Sequence, residues 1–211
     1  MRSRTLLITG CVVSAIFVAS GNAQESAEER SGLVVASVTV TIDGTSNRHA
    51  FLASTKTVRV AHIQLADPLS RDVLQQALQP GGLKSFDVTI PVLTLTSADE
   101  GVEEYIHDSL KAKDYPEIHF RLHAITKGAG DATAAIPLRA TGTLTIAGID
   151  RDVTLNVKVM RVGDALIVNG TTDLLMTDFG VKPPKGLFRM LNTDPAVRVR
   201  FYLVLTAATE R

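Results

Sequence analysis

The sequence contains no tryptophan, and aromatic residues make up only 5% of its 211 positions. It has a single cysteine, Cys11, within an apolar run near the N-terminus. One thiol cannot form an internal disulfide, nor can it provide a cysteine cluster for a metal ion. The chain must therefore be held by its hydrophobic core, and 45% hydrophobic side chains in a chain of this length predict one domain.

The sequence also lacks an excess of charge and the common catalytic motifs. Its 22 Lys and Arg side chains are balanced by 22 Asp and Glu side chains, and no basic stripe predicts a nucleic-acid partner. No G-x-S-x-G elbow, P-loop or H-E-x-x-H motif occurs. We therefore predict a protein that is not an enzyme and has no catalytic residues, metal site or cofactor.

The first 23 residues have the pattern of a secretory signal peptide. A basic MRSR stretch precedes an uncharged run from Thr5 to Ser20, and small residues lead to a predicted cleavage after Ala23. The run is shorter than the ~20 residues of a spanning helix, so the mature chain is predicted to have no integral membrane span. Two alternatives stay open: an uncleaved anchor, and a lipobox at ITGC in which Cys11 is acylated. Residues 24–32 are predicted to be a polar tether.

From Leu33 onward, apolar and polar residues alternate, as is typical of a strand with two different faces. In SVTVTI, for example, Val38, Val40 and Ile42 share one face. The same pattern, with many β-branched residues, recurs in TVRVAHIQL, FDVTIPVLTL, IHFRLHAI, ATGTLTIAG, DVTLNVKV, ALIVNG and VRVRFYLVL. At least eight antiparallel strands are predicted, which indicates a barrel or a sandwich.

Short connections and two helices complete the prediction. Tight hairpins are predicted at Ala147-Gly148-Ile149-Asp150 and at Arg161-Val162-Gly163-Asp164. One helix is predicted after Ser97, which would cap it with Glu100 three residues later, and its apolar stripe contains Val102, Tyr105, Ile106 and Leu110. A second, weaker helix is predicted in LSRDVLQQAL.

His119 and His123 lie four positions apart behind Tyr115-Pro116. On a helix this spacing could chelate a metal ion, but Pro116 and the alternation of apolar residues predict a strand that begins at Glu117. Positions four apart on a strand are separated by roughly 13 Å, too far to bind one ion directly. A site would have to recruit His49, His62 or His107 from elsewhere in the fold.

Three stretches in order resemble the YceI-like family, exported lipocalin-like proteins that bind polyisoprenoids. The centre of the chain carries KDYPEIHF and ATGTLTIAGIDRDVTLNVKV, which resemble the family's aromatic strand and its G-x-L-T-[IL]-x-G hairpin. GTSNRHAF resembles a G-T-S-x-x-H-x-W motif with Phe51 in place of Trp, and MTDFGVKPPKGLFRMLNTDPAVRVRFYLVL resembles the closing pattern. The resemblance implies an all-β fold for residues 33–208, an antiparallel up-and-down, lipocalin-like β-barrel of about eight strands.

The resemblance also implies a ligand, a polyisoprenoid such as a quinone or polyprenol, or another long apolar lipid. A barrel of this size is either filled by its own side chains or holds one slender ligand. Because alternation alone does not say which face is inside, the more apolar face of each strand supplies the lining candidates. These are Phe51, Phe86, Val88, Ile90, Phe120, Leu122, Leu144, Ile146, Phe201 and Leu203.

Three functions remain at this stage. The first is an exported carrier or sequestering protein for a long apolar lipid, in the periplasm or secreted. The second is a non-catalytic envelope protein with a side-chain-filled barrel that acts through a protein partner. The third is an enzyme that acts on a small molecule in the barrel mouth. The sequence does not decide between a monomer and a homodimer.

Overall fold

The eight alternating segments and one further segment that was not predicted, Ala50–Thr55, form strands in a computed structural model, which describes residues 32–47, 49–67, 70–98, 100–129, 135–183 and 193–208. The predicted signal peptide, Cys11 and the tether as far as Ser31 lie outside these residues. The strands are β1 (Leu33–Ser46), β2 (Ala50–Thr55), β3 (Arg59–Leu65), β4 (Leu83–Pro91), β5 (Glu117–Lys127), β6 (Ile136–Ile146), β7 (Ile149–Val162), β8 (Ala165–Leu175) and β9 (Thr193–Ala207). The all-β prediction is thereby confirmed.

Two short α-helices and two 3-10 turns interrupt the strands. Helix α1 spans Val73–Ala77 and helix α2 spans Glu100–Ser109. The 3-10 turns follow β4, at Val92–Thr94, and β8, at Met176–Phe179. Both helices had been predicted, although α2 begins later than a cap at Ser97 would place it.

All nine strands belong to one antiparallel sheet. Strands β3 to β9 form a meander, β1 pairs with β9, and β2 pairs with β1. The two edges of the sheet are therefore β2 and β3, which only residues 56–58 connect. Since so short a link spans at most about 14 Å, the sheet has to curl until its edges approach each other. The result is a curled, lipocalin-like sheet, as the family resemblance implies, with nine strands in place of about eight.

The two edges of the curled sheet, β2 and β3, approach each other along a seam whose two ends differ. Ser54 exchanges two backbone hydrogen bonds with Thr96, at 2.8 and 2.9 Å, and these attach β2 to the chain that follows β4. At the other end of the seam, β3 and the first half of β1 line a cleft of about 670 Å³. The seam is thus joined by hydrogen bonds at one level and open at another.

The predicted hairpins are present and tight. Ala147 and Gly148 alone connect β6 to β7, and both have positive φ, 50° and 78°. This backbone is typical of the two-residue turns whose twist suits antiparallel strands. Gly163, with φ of 56°, takes the corresponding role between β7 and β8.

The alternation of β5 contains one irregularity that the sequence does not predict. The pairing of β5 with β6 shifts between Leu122 and Ala124, so His123 and Ala124 are both exposed. A bulge of this kind puts two residues opposite one and exchanges the faces beyond it. The expected alternation of Ile118, Phe120, Leu122 and Ala124 is therefore wrong at Ala124, and Ile125 packs inward instead.

The core is densest at the end of the barrel where α1 lies. Leu74 and Ala77 of α1 are buried together with Leu33, Leu65 and Leu166 in the largest apolar cluster. At the opposite end, two smaller clusters centre on Leu95 and on Phe179. Helix α1 therefore closes one end, while α2 and the second 3-10 turn lie at the other.

Candidate functional site

The middle of the barrel holds an inner cavity of about 240 Å³. Its floor includes Ala77 and Leu78, at and just after the C-terminal end of α1, and its walls are the inward faces of the strands. Among the described residues that line it, Thr172 is the single polar one. Nine of the ten candidate lining residues contribute to this wall: Phe86, Val88, Ile90, Phe120, Leu122, Leu144, Ile146, Phe201 and Leu203.

An outer cavity of about 330 Å³ lies between α2 and the rim of the sheet. The tenth candidate, Phe51, lines it, and so does the apolar stripe of α2. The described residues of this lining include none that is acidic, and no lysine or arginine. Its polar members are Ser46, His49, Tyr105, Ser109 and Thr193.

The two cavities adjoin. They share five lining residues, all aliphatic: Ile42, Ile118, Ile146, Leu174 and Val199. These side chains form the boundary at which the two spaces meet. A slender apolar molecule could therefore extend from the outer cavity into the inner one without passing a charged group.

Helix α2 is fixed beside the outer cavity by polar contacts. The ring Nε2 of His107 lies 2.9 Å from the carbonyl oxygen of Leu95, which requires a proton on that nitrogen. Helix α2 begins at Glu100 and not directly after Ser97, whose hydroxyl donates to the carbonyl of Leu52 on β2 at 2.8 Å. The backbone N–H of Ser97 donates to the Glu103 carboxylate at 3.2 Å.

Charged side chains lie on the outer face of the sheet. Arg198 on β9 donates to Asp173 on β8, and Arg200 donates to Asp43 on β1 with two bonds of 2.7 and 2.8 Å. The hydrogen bond between Arg198 and Asp173 lowers the pKa of the Asp173 carboxyl below its ordinary value. The same bond raises the pKa of the Arg198 guanidinium. These pairs are exposed, and exposed pairs contribute little to stability. Because these charged side chains lie on the outer face, they do not enter the two cavities.

The N-terminal end of α1 carries a further ion pair. Asp72 accepts the Gln75 backbone N–H at 2.9 Å and pairs with Arg161 of β7 at 2.6 Å. The hydrogen bond from Arg161, followed by the one from Gln75, lowers the pKa of Asp72. The carboxylate thus caps the helix and joins it to the β7–β8 hairpin.

The histidines do not converge. His119 and His123 both point outward from β5, where their rings lie 3.2 Å from Thr89 and Thr143 respectively. In the part of the chain that the structure describes, no three His, Cys, Asp or Glu side chains are grouped closely enough to hold a metal ion.

Sequence reasoning missed most of the outer cavity. The α2 stripe of Val102, Tyr105, Ile106 and Leu110 was recognised as an apolar face, but nothing in the sequence says what such a face covers. Phe179 and Val181 were missed as well, because they belong to an irregular segment without a period. The inner wall was easier to predict, since period-two alternation marks it in the strands that line it, β1 and β4 to β9.

Comparison with known proteins identifies relatives of this fold. A family described as "YceI-like domain" matches residues 58–205. A UPF0312 protein of Pseudomonas putida (strain W619) is 34% identical over 96 residues, which represent 43% of this chain and 47% of the relative. The chain thus matches about half the length of that relative.

Solved structures agree in fold. BcnA of Burkholderia cenocepacia superimposes with a TM-score of 0.63 at 23% identity, covering 82% of this chain and 96% of that one. A polyisoprenoid-binding domain from Saccharophagus degradans gives 0.60 at 10% identity, with coverages of 84% and 99%. The YceI protein of Campylobacter jejuni gives 0.52 at 20% identity, with coverages of 79% and 85%. At these identities the likeness establishes the fold.

Proposed function

This chain belongs to the YceI-like domain family, and from its lumen we propose that it is an exported protein that carries or sequesters a polyisoprenoid or another long apolar chain. The signal peptide of residues 1–23 would be removed, and the mature protein would act in the periplasm or outside the cell. In the described part of the chain, no helix is long and apolar enough to span a membrane.

One observation carries the proposal: two adjoining cavities whose described lining residues bear no acidic, lysine or arginine side chain. Burial of apolar surface contributes about 0.8 kcal/mol per methylene, so a long chain gains affinity from length alone. A buried charged head would need a partner that these walls do not supply. The hydroxyls and the imidazole of the outer cavity suit a neutral polar head, such as a quinone or an alcohol.

A neighbour supports the same ligand class. The Saccharophagus degradans domain is described as polyisoprenoid-binding and shares the curled sheet across most of both chains. Fold likeness alone does not assign a ligand, because one fold hosts many functions. The uncharged lumen of this chain is the independent reason to extend that ligand class to it.

A thermal scan of delipidated mature protein tests the proposal. A long polyprenol or isoprenoid quinone should raise the melting temperature, since a ligand that binds only the folded state stabilises it by mass action. Leu144→Asp should abolish the rise, because it places a carboxylate in the inner wall. Thr141→Asp is the matched control, since Thr141 lies on the outer face of β6 and its cross-strand partners, Ala124 and Thr154, are uncharged.

Circular dichroism before ligand addition establishes that each variant is folded. If no isoprenoid, polyprenol or fatty acid shifts the wild-type melting temperature in a sample confirmed free of lipid, carriage of an apolar chain is the wrong function. The alternative, a barrel that acts through a protein partner, would then replace it.

A further inference from the structure

Two phenylalanines of the cavity walls lie over glycines of the adjacent strand. Phe201 on β9 is directly opposite Gly170 on β8, and Phe51 on β2 is directly opposite Gly44 on β1. A Cβ atom built on Gly170 would overlap Cζ of Phe201 and lie 2.5 and 2.6 Å from its two Cε atoms. A Cβ on Gly44 would overlap Cζ of Phe51 and lie 2.5 and 2.7 Å from its Cε atoms.

The contacting atoms are those at the far end of each ring. Each phenyl tip therefore occupies the space that a side chain on the opposite strand would fill, and the ring lies along the wall. Phe201 lines the inner cavity and Phe51 lines the outer one. A ring that lies along the wall leaves the centre of the barrel free, whereas the same ring turned inward would fill part of it.

We propose that Gly170 and Gly44 are specificity-determining residues, because they seat these rings against the wall and thereby set how long an apolar chain the inner and outer cavities accept. This inference rests on the proposed function for the identity of the ligand. It adds that two residues without side chains determine the capacity of the site. An added methyl group at Gly170 would turn the Phe201 ring into the cavity of about 240 Å³.

The ring, and not the sheet, is the part expected to move. At Gly170 and Gly44 the three nearest atoms are all at the far end of a phenyl ring, which can reorient by rotation about its side-chain bonds. Gly142 differs, although its Cβ would lie 2.7 Å from Cζ of Phe120, because it would also overlap the backbone carbonyl of Arg121. Gly142→Ala should therefore destabilise the sheet itself, and this makes it a useful contrast to Gly170→Ala.

The first experiment compares crystal structures of wild type, Gly170→Ala and Gly142→Ala under xenon pressure. Xenon enters apolar cavities, so it reports capacity without any lipid. In Gly170→Ala the Phe201 ring should point into the inner cavity, and xenon occupancy there should be lost. A ring still against β8, with xenon bound as in wild type, would overturn the inference.

The second experiment measures the melting temperature with prenols that differ by one isoprene unit. Gly170→Ala should lose the rise given by the longest prenols that stabilise wild type, and Gly170→Ala/Phe201→Leu should regain it. Phe201→Leu alone should extend the series to longer prenols, and it keeps the test decisive even if Gly170→Ala does not fold. The inference would also be overturned if the longest prenol that raises the melting temperature were the same for wild type and all three variants.

The two experiments separate this inference from the proposed function. If xenon occupancy follows the prediction but no prenol stabilises wild type, the seating of the rings holds and the ligand class is wrong. The opposite outcome is that prenols stabilise wild type while Gly170→Ala changes neither the xenon occupancy of the inner cavity nor the longest prenol that raises the melting temperature. In that case the proposed function holds and the role of the glycines is wrong.

Discussion

Phe201 shows how one residue can distinguish a filled core from a lumen. In a filled core, Phe→Ala costs about 3–5 kcal/mol, since burial is lost and a cavity is created. Here one side of Phe201 already faces open space, so Phe201→Ala should reduce the free energy of unfolding by less than that range. A long prenol should restore part of the loss, as measured by urea unfolding with and without ligand.

The outcome against a lumen is equally specific. A loss of the full 3–5 kcal/mol, with no recovery on ligand addition, indicates a barrel filled by its own side chains. Leu74→Ala provides the comparison, since Leu74 is 3% exposed in the main core and lines neither cavity. It should cost about 2–5 kcal/mol, and ligand addition should not restore the loss.

At the residue scale, the sequence predicts which side chains face inward but not how they lie. All ten candidates line a cavity, because the more apolar face of a strand is the one that faces inward, and their contact with a ligand stays a prediction. The bulge at His123 could not be read from the sequence, since an extra residue in a strand leaves no mark on composition. The seating of Phe201 over Gly170 likewise depends on which strands pair.

At the scale of elements, α1 is held through Asp72, and this contact depends on pH. The pKa of Asp72 is lowered in the folded protein, so the carboxylate stays charged to a lower pH than in the unfolded chain. Its contribution to stability is therefore present above about pH 4, the unfolded value, and is lost as the pH falls through the folded value. Asp72→Asn keeps a capping side chain but loses the ion pair with Arg161.

Asp72→Asn should therefore lower the melting temperature at neutral pH, and the difference from wild type should shrink as the pH falls below the ordinary pKa of Asp and the Asp72 carboxylate becomes protonated. Amide exchange in α1 should quicken at neutral pH. Asp173→Asn is the control, since the pKa of Asp173 is lowered in the same way by Arg198 on the sheet, far along the chain from α1. That variant should leave exchange in α1 unchanged, and a pH-independent effect of Asp72→Asn would contradict the assignment.

The helices were predicted for sound reasons, and the errors lie at their ends. The apolar stripe of α2 sets its face, but the helix begins at Glu100, and the Ser97 hydroxyl donates to a tertiary acceptor, the Leu52 carbonyl. No local rule predicts that choice, because the acceptor lies 45 residues away in the chain. Tyr115-Pro116, in contrast, is a local signal, and β5 begins at Glu117 as predicted.

At the scale of the whole molecule, the order of the strands in the sheet could not be predicted from the sequence. Alternation identifies β1 but not β2, and it does not say that β1 joins the far side of the meander, beside β9. The short link of residues 56–58 is the feature that brings the two edges of the sheet together. The sequence alone does not show that this link joins the two edges, because the edges are defined by the strand pairing.

Export is a prediction for the whole chain, and it concerns residues outside those that the structure describes. Amino-terminal sequencing of protein expressed with its own leader should give Gln24 as the first residue, as expected for cleavage after Ala23. A start at Cys11 carrying acyl groups would show a lipid anchor. An intact Met1 in the membrane fraction would show an uncleaved one.

The two cavities also bear on how the protein responds to hydrostatic pressure. Pressure favours the state of smaller volume, and unfolding eliminates internal voids, with volume changes of about −20 to −100 mL/mol. Because the barrel contains partly open apolar cavities of about 330 and 240 Å³, delipidated protein should unfold at lower pressure than the ligand-bound protein. A bound prenol would occupy that volume, so the midpoint pressure, followed by tyrosine fluorescence, should rise with ligand and measure how completely the barrel is filled.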